Sequence, residues 1–314
     1  MKKLRRFIMS KPDYAIRNYQ PSDFEEFTRL YTSANRIPAE NIRDVLERPG
    51  FTAAKDLFLA ESDCHLVAYA HLTPEPAIGR VILRGWIEPA YRRKGLARKL
   101  LERVAQRCQE LDINRIHVFV PQTSQTSRAI LPKLEFSFVR RYLDMEINPH
   151  DIPREELEEA AGKCRQLRPG EEEILVELQN RAFRYHWGYS PGDLATITHD
   201  INVNNRSPRD VIVACNGETV IGYCWTETVE LESTSGKAIY GVINMIGIEP
   251  ELRGKGLGRR VLLAGIARQW RKGAGNIGLT VDAQNSIARE LYRMLGFREC
   301  GSTLWYEKII DRST

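Results

Sequence analysis

The stretch Glu249-Pro-Glu-Leu-Arg-Gly-Lys-Gly-Leu-Gly258 connects a β-rich run at 238–248 to a segment whose apolar residues recur at helical spacing. Those residues are Leu257, Val261, Leu262, Ile266 and Trp270. A turn between a strand and a helix exposes unpaired backbone N–H groups at the positive end of the helix dipole, and glycine lets a bulky anion come close. The stretch therefore predicts a phosphate-binding turn in an α/β domain.

The spacing of its glycines separates this turn from two commoner phosphate-binding turns. A Walker A loop requires Gly-Lys followed by Ser or Thr, whereas Gly256 is followed here by Leu257 and Gly258. A dinucleotide-binding turn requires Gly-x-Gly-x-x-Gly, and Arg259 stands at the last glycine position. Taken alone, the turn fits a plain helix N-terminus equally well, so the surrounding residues decide its meaning.

The same stretch occurs twice in the chain. Residues 86–101 align without a gap on residues 247–262, at an offset of 161. The identities are Ile87, Glu88, Pro89, Arg92, Lys94, Gly95, Leu96, Arg98 and Leu101 with Ile248, Glu249, Pro250, Arg253, Lys255, Gly256, Leu257, Arg259 and Leu262. Chance would give about one identity at ordinary residue frequencies. The chain therefore contains two copies of one domain.

Each copy predicts the order strand, turn, helix, strand, helix. In the second copy, β-rich runs at 211–215 and 220–226 flank Asn216-Gly217, which is a hairpin signal. We predict an α/β chain with a mixed sheet in each of two domains, at 1–147 and 163–314, joined by a charged, proline-containing linker at 148–162.

Composition excludes several classes of protein. A hydrophobic content of 42% supports a folded core, and a net charge of +5, from 46 basic and 41 acidic residues, is too small to indicate nucleic acid. The six cysteines are isolated, as in thiols of a reducing compartment. No apolar stretch approaches the roughly 18 residues that cross a bilayer. We therefore predict a cytoplasmic protein with no metal, membrane or nucleic-acid partner.

The residues around the second turn carry a family resemblance. Glu249-Pro250, the turn at 253–258, Asn285-Ser-Ile-Ala288, Leu291-Tyr292 and Leu295-Gly-Phe297 have the order and spacing found in the GNAT superfamily of CoA-dependent N-acetyltransferases. The chain resembles that superfamily from about 164 to 308. The resemblance implies two tandem GNAT-like acyl-CoA N-acyltransferase domains that use acetyl-CoA as co-substrate.

The resemblance also implies roles for the matching residues. Backbone N–H groups of the turn would hold the CoA pyrophosphate, and the preceding strand would pair with pantetheine and offer an amide to the thioester oxygen. Tyr292 stands where the family often places the acid that protonates the departing thiolate; the alternative is a buried packing residue. The implied CoA-binding residues are Ile246, Gly247, Ile248, Arg253, Gly254, Lys255, Gly256, Leu257, Gly258, Arg259 and Asn285.

The general base is harder to place. An amine must lose a proton when it attacks, which requires a carboxylate, a histidine or a chain of waters. The strand at 238–248 contains no carboxylate, although many family members have one there, and Glu227, Glu230 and Glu232 lie just upstream. We take Glu227 as the candidate base; the alternative is that all three are solvated carboxylates of a hairpin.

Within the superfamily, the whole chain is similar in layout to the mycothiol synthases, tandem enzymes that acetylate a cysteinyl amine on a glycoside with their C-terminal copy. Residues 180–187, 222–226 and 247–250 carry this similarity. Val242 stands where those enzymes place a strand glutamate, and Thr280 where they place a tyrosine near the substrate. The acceptor of this chain can therefore differ.

The first copy departs from the pattern at four positions. Tyr292, Asn285, Gly296 and Gly247 correspond to Leu131, Ser124, Glu135 and Trp86. Pro132 also falls in a predicted helix interior, where proline costs about 3 kcal/mol. We therefore predict that the first copy is not catalytic and serves a structural or substrate-shaping role.

The function that follows is transfer of an acetyl group from acetyl-CoA to a primary amine of a small molecule, by direct attack in the second copy. The alternative is a catalytically silent tandem CoA-binding sensor, which the missing strand carboxylate permits and Tyr292 opposes. A nucleic-acid-modifying acetyltransferase, suggested by basic residues at 2–6 and 92–94, is opposed by the modest net charge.

Overall fold

The computed structural model describes residues 14–35, 39–203, 206–233 and 236–310, so the basic residues at 2–6 lie outside the described part. In chain order the strands and helices are β1 Ala15–Asn18, α1 Phe24–Asn35, α2 Ile42–Leu46, α3 Ala53–Asp56, β2 Leu57–Ser62, β3 His65–Glu75, β4 Arg80–Ile87, α4 Leu96–Glu110, β5 Arg115–Pro121, α5 Gln125–Ile130, β6 Ser137–Ile147, α6 Arg154–Gly162, β7 Arg165–Gln166, α7 Glu172–Phe183, α8 Leu194–Asn202, β8 Val211–Asn216, β9 Thr219–Ser233, β10 Gly236–Ile248, α9 Leu257–Arg271, β11 Asn276–Asp282, α10 Ser286–Met294 and β12 Arg298–Ile309.

The described residues form two compact units, one within 14–118 with 309–310 and one within 119–308. In the first unit, β1, β2, β3 and β4 pair antiparallel in sequence order, and β5 joins β4 in parallel. Helix α1 covers this sheet with Phe27, Leu30 and Tyr31, which are buried with Tyr69 of β3 in one aromatic-rich cluster.

The second unit has the strand order β12-β6-β11-β10-β9-β8-β7. Among its described strands, β10 and β11 pair in parallel and the other neighbours are antiparallel, so the sheet is mixed as predicted. Strand β6 belongs to the first sequence repeat, yet it hydrogen-bonds between β11 and β12. The compact units therefore do not coincide with the repeats, and the division at 1–147 and 163–314 stays a prediction of the repeat.

The segment predicted as a linker, 148–162, is part of the second unit. Its helix α6 buries Leu157 and Ala160 in the same cluster as the inner face of α9. Glu156 and Glu158 of α6 form ion pairs with Arg259 and Arg271 of α9. The charged residues of this segment thus belong to an amphipathic helix packed along α9, and its role as the linker between the repeats stays a prediction.

The local predictions around the turn are confirmed. Strands β8 and β9 form the predicted hairpin, with Gly217 at φ +59° in its turn. Strand β10 runs into the glycine-basic turn, and α9 buries Leu257, Val261, Leu262 and Ile266 at the predicted helical spacing.

Candidate active site

A gap opens between β10 and β11 in the middle of the second unit's sheet. The two strands pair only from Tyr240 opposite Asn276 to Ile243 opposite Leu279. Strand β10 then continues to Ile248, still paired with β9 on its other side, and β11 continues along β6. Among the described strands, none pairs with the edge of β10 at 244–248 on the side of β11, and such an edge can accept an extended ligand as an added strand.

A β-bulge marks the point where the strands separate. The register between β9 and β10 shifts between Ile243 and Met245, so Asn244 is the extra residue. Bulges bend a strand and re-aim its side chains, and they are frequent beside active sites. The corresponding strand of the first repeat, β4, pairs with β3 without a register shift from Arg80 to Ile87. The two repeats therefore differ at the place where the acyl group is expected.

The predicted phosphate-binding turn has the conformation that its glycines suggest. Gly254 and Gly256 have φ values of +78° and +76°, in the left-handed region, and a Cβ on either would meet no atom within 4 Å. Gly256 is the N-cap of α9 and has no side chain that could cap the helix. The N–H groups of the first turn of α9 are thus presented to a ligand, and the first turn contains no acidic residue.

Three cations surround this helix N-terminus, all exposed: Arg253, Lys255 and Arg259. Arg253 Nη2 donates a hydrogen bond to the backbone oxygen of Ala182 in α7, 2.5 Å away, and Arg259 is held by Glu156. These contacts hold the two guanidinium groups to α7 and α6. The turn can therefore bind a diphosphate through backbone N–H groups, with the cations at its rim.

Helix α10 borders the gap opposite α9. A Cβ on Gly258 of α9 would lie 3.5 Å from Leu291 of α10, so the N-terminal turn of α9 approaches the C-terminal half of α10 closely. Asn285 caps α10, its Oδ1 accepting from the N–H of Ala288 at 3.1 Å, and its Nδ2 lies 3.5 Å from Nε2 of His186. The predicted contact of Asn285 with CoA stays a prediction, alongside this structural role.

Tyr292 is on the buried face of α10. It is 8% exposed, shares the core cluster with Ile248 and Leu257 at the two ends of the turn, and its ring centroid lies 5.8 Å from that of Phe297. Burial raises the pKa of Tyr292 well above the usual value of a tyrosine, so the phenol is protonated at neutral pH. It has the form required of a proton donor and is also a packing residue.

Glu227 of β9 lies beside the bulge. Its Oε2 accepts from Arg206 Nη2 at 2.8 Å and from Asn244 Nδ2 at 3.1 Å, and its side chain is 15% exposed. Its Cα is paired with Val242, the β10 position that lacks the expected glutamate. Sequence reasoning missed Arg206 and Asn244, because neither belongs to a motif and both reach Glu227 only through the folded sheet.

Strand β6 supplies two further carboxylates that sequence reasoning missed. Glu146 accepts from Tyr240 Oη and from Asn276 Nδ2, each at 2.8 Å. Asp144 accepts from Thr280 Oγ1 at 3.1 Å. Glu146 lies opposite the part of β11 that pairs with β10, and Asp144 lies opposite Thr280, the first residue of β11 beyond that part, so β6 places two carboxylates next to the gap.

Three aromatic side chains, Trp187, Tyr142 and Trp305, pack together near β6. The ring centroid of Trp187, in the segment after α7, lies 6.2 Å from that of Tyr142 and 5.8 Å from that of Trp305. The guanidinium carbon of Arg140, whose ion pair with Asp282 is 2.7 Å long, lies 5.4 Å from the Trp187 centroid. The neighbouring His186 lies beside Asn285, the N-cap of α10. Residues 186–187 therefore contact both β6 and the N-terminus of α10.

The described residues contain neither a metal-binding cluster nor a membrane-spanning helix. Residues 14–35, 39–203, 206–233 and 236–310 hold no group of three or more His, Cys, Asp or Glu side chains placed to bind a metal ion. Within the same ranges, no helix has the length and apolarity that would let it cross a bilayer.

A known protein family matches both repeats of the chain. The family model described as "Acetyltransferase (GNAT) family" matches residues 17–136 and 173–297. A curated relative, mycothiol acetyltransferase of Thermobispora bispora, is 28% identical over 300 residues, covering 92% of this chain and 97% of the relative. The two regions matched by the family model support two copies of one domain, and the relative aligns over nearly all of the chain.

Solved structures show the same fold over the whole chain. A GCN5-related N-acetyltransferase from Sphaerobacter thermophilus superposes with a TM-score of 0.68 at 19% identity, covering 97% of this chain and 98% of the other. A tandem GNAT protein from the clavulanic acid biosynthesis pathway gives a TM-score of 0.68 at 14% identity, covering 96% and 100%. The prediction of two GNAT-like domains is confirmed.

Proposed function

Because the chain belongs to the acetyltransferase (GNAT) family and is an acyltransferase, we propose that its second repeat transfers an acetyl group from acetyl-CoA to the primary amine of a small molecule. The observation that carries this proposal is the gap between β10 and β11, which opens at the bulge of Asn244 and ends at the turn before α9. The gap suits an extended pantetheine arm, and the turn suits the diphosphate next to it.

In the proposed complex, the open edge of β10 at 246–248 pairs with pantetheine, and one of its N–H groups donates to the thioester oxygen. This donor is fixed before the reaction and faces the oxygen on which negative charge develops, so it stabilises the tetrahedral intermediate. Gly254 and Gly256 allow the turn to approach the diphosphate, with Arg253, Lys255 and Arg259 at its rim.

The chemical step is direct attack of the neutral amine on the thioester carbon. A C–N bond forms, the tetrahedral intermediate collapses, and the C–S bond breaks with its electron pair on sulfur. We assign the proton lost by the amine to Glu227, directly or through water, and the proton gained by the thiolate to Tyr292. The location of Glu227 at the bulge supports the first role, and the position of Tyr292 on α10, where the family resemblance places the acid, supports the second.

The acceptor site is proposed on the sheet surface beside the bulge. Asp144, Glu146 and Glu227 place negative charge there, which favours a cationic amine. The relatives named mycothiol acetyltransferase support a small thiol-containing amine as acceptor. Val242 and Thr280 differ from the glutamate and tyrosine implied by that similarity, so a related rather than identical acceptor is proposed.

The first repeat is proposed to be non-catalytic. Its β4 has no bulge, and Trp86 stands where β10 has Gly247. The guanidinium of Arg92, the first arginine of the first turn, lies 4.6 Å from the Trp86 ring centroid, and its Nε donates to the oxygen of Ile87. Leu131 further replaces the proposed proton donor.

The deciding experiment measures acetyl-CoA binding by calorimetry and then free-thiol release with a panel of primary amines, including cysteinyl glycosides. The proposed function predicts both binding and amine-dependent thiol release. Binding without release across the panel supports the alternative, a silent CoA-binding sensor, which the engagement of Glu227 by Arg206 favours. Absence of binding contradicts both.

A further inference from the structure

Tyr223 of β9 lies across the neighbouring strand at Gly247. The two residues are Cα partners in the antiparallel β9–β10 register. A Cβ placed on Gly247 would clash with Cε1 of Tyr223 and lie 3.1 Å from its Cζ, the ring atom that carries the hydroxyl. The same Cβ would lie 3.1 Å from that of Ala182 in α7. Only glycine therefore lets the phenol cross β10 beneath α7.

The hydroxyl end of this ring is buried beside the open part of β10. Gly247 belongs to the part of β10, residues 244–248, that is not paired with β11. Tyr223 is completely buried, and within the described residues its hydroxyl has no hydrogen-bond partner. Burial also raises the pKa of Tyr223 well above 10, so the hydroxyl keeps its proton and can donate.

A buried hydroxyl without a partner destabilises a folded protein, because its hydrogen bonds to water are lost and not replaced. Such a group is retained at a cost to stability, and a ligand that accepts its hydrogen bond removes that cost. The position beside Gly247 restricts the ligand to what lies along the open edge of β10. The proposed occupant of that edge is the acyl-thioester end of acetyl-CoA.

The first repeat has a tyrosine at the equivalent position of its strand pair, but its ring packs elsewhere. Tyr69 of β3 is the Cα partner of Trp86, as Tyr223 is of Gly247. Trp86 cannot let a ring cross its strand, and Tyr69 instead packs with Phe27 and Tyr31, at centroid distances of 5.7 and 5.3 Å. The crossing tyrosine is thus specific to the repeat that has the bulge.

We infer that Tyr223 is a further residue of the donor site, whose hydroxyl donates a hydrogen bond to the carbonyl oxygen of the bound acyl thioester. The inference rests on the proposed function. It adds a side-chain donor to the backbone N–H of β10, so the thioester oxygen has two donors. A hydrogen bond to that oxygen strengthens as negative charge develops in the transition state, so the hydroxyl acts on turnover as well as on binding.

The test is Tyr223→Phe, compared with wild type for binding of acetyl-CoA and of CoA, which has no acyl carbonyl. We expect acetyl-CoA affinity to fall by about two- to tenfold, the range of one neutral hydrogen bond. CoA affinity should be unchanged, and kcat should fall by at least tenfold. Because the hydroxyl has no partner in the ligand-free protein, the melting temperature without ligand should be equal or higher.

Tyr69→Phe is the matched control, since it removes the equivalent hydroxyl from the first repeat and should alter neither affinity nor kcat. Equal losses for acetyl-CoA and CoA, or unchanged acetyl-CoA affinity and kcat, overturn the inference and leave the proposed function standing. A lower melting temperature in the ligand-free Tyr223→Phe protein also overturns it, because the hydroxyl would then have a structural partner. A wild-type protein that binds neither ligand overturns both.

Discussion

Glu227 is the cross-strand partner of Val242, with the two Cα atoms paired between β9 and β10. Directly opposed residues of antiparallel strands lie about 4.5–5.5 Å apart. The carboxylate that the family resemblance implies at Val242 is therefore absent from β10 but present one strand away. Through Asn244 it also contacts the bulge where β10 leaves β11. This relationship is the strongest structural support for Glu227 as the base.

Glu227→Gln is expected to lower kcat by about 10²-fold, within the usual range for general-base catalysis, because the amide cannot accept the proton of the amine. The affinity for acetyl-CoA should be unchanged. Glu230→Gln is the control: Glu230 is on the same strand, but it is exposed and paired with Lys237. Steady-state kinetics and calorimetry measure both variants, and equal kcat values for the two would remove Glu227 from the mechanism.

Gly256→Trp is expected to abolish acetyl-CoA binding, because the indole would occupy the approach to the N-terminus of α9. Gly95→Trp provides a matched control in the first repeat. Gly95 has φ +86° against +76° for Gly256, and a Cβ on either meets no atom within 4 Å. The backbone penalty, about 1–2 kcal/mol, should therefore be similar for the two. Calorimetry together with circular dichroism checks this, and the assignment fails if Gly95→Trp loses activity while Gly256→Trp retains it.

Tyr292→Phe is expected to lower kcat while acetyl-CoA affinity stays nearly constant, because a proton donor to the departing thiolate acts mainly in the transition state. The phenyl ring preserves the packing against Phe297. Turnover by free-thiol release and binding by calorimetry separate the two effects. Kinetics identical to wild type would leave Tyr292 as a packing residue only.

The free energy of unfolding is expected to fall as the pH rises above about 10, the pKa of an unperturbed tyrosine. Burial raises the pKa of Tyr292 in the folded chain, so the unfolded chain loses this proton first. The unfolded state then binds fewer protons, and stability falls with pH until the folded pKa is reached. Urea denaturation between pH 8 and 11 measures this change. The free energy of unfolding should fall less steeply with pH in Tyr292→Phe than in wild type. Tyr185→Phe is the control, because Tyr185 is 92% exposed, and it should follow the wild-type curve.

The sequence predicted the elements around the turn because their determinants are local. The turn adopts left-handed backbone conformations at two positions, and these favour the glycines found there, Gly254 and Gly256. The spacing of the apolar residues after them predicts the helix. The hairpin at Asn216-Gly217 depends on two neighbouring residues in the same way. The family resemblance added the donor, acetyl-CoA, and the role of Tyr292, while Glu227 is the candidate among the carboxylates just upstream of a strand that has none; both roles stay predictions.

Other parts of the site could not be read from the sequence. Side chains alternate between the two faces of a strand, so the sequence predicts which residues share a face. It does not predict which other strand lies beside them. For that reason Glu146, at the end of the first repeat, gave no sign that it would join Tyr240 and Asn276. The charges and prolines of segment 148–162 predict a linker, but they do not indicate that Glu156 and Glu158 pair with Arg259 and Arg271 of α9.

The sequence by itself therefore determined the two repeats, the order of their elements, the glycine turn and the family. Each of these depends on residues that are adjacent in the chain or on a match between its two halves. Only the tertiary structure decided the insertion of β6 between β11 and β12, the separation of β10 from β11, the bulge at Asn244, and the crossing of Tyr223 over Gly247. These features depend on hydrogen bonds and packing between residues far apart in the chain, which local patterns do not encode.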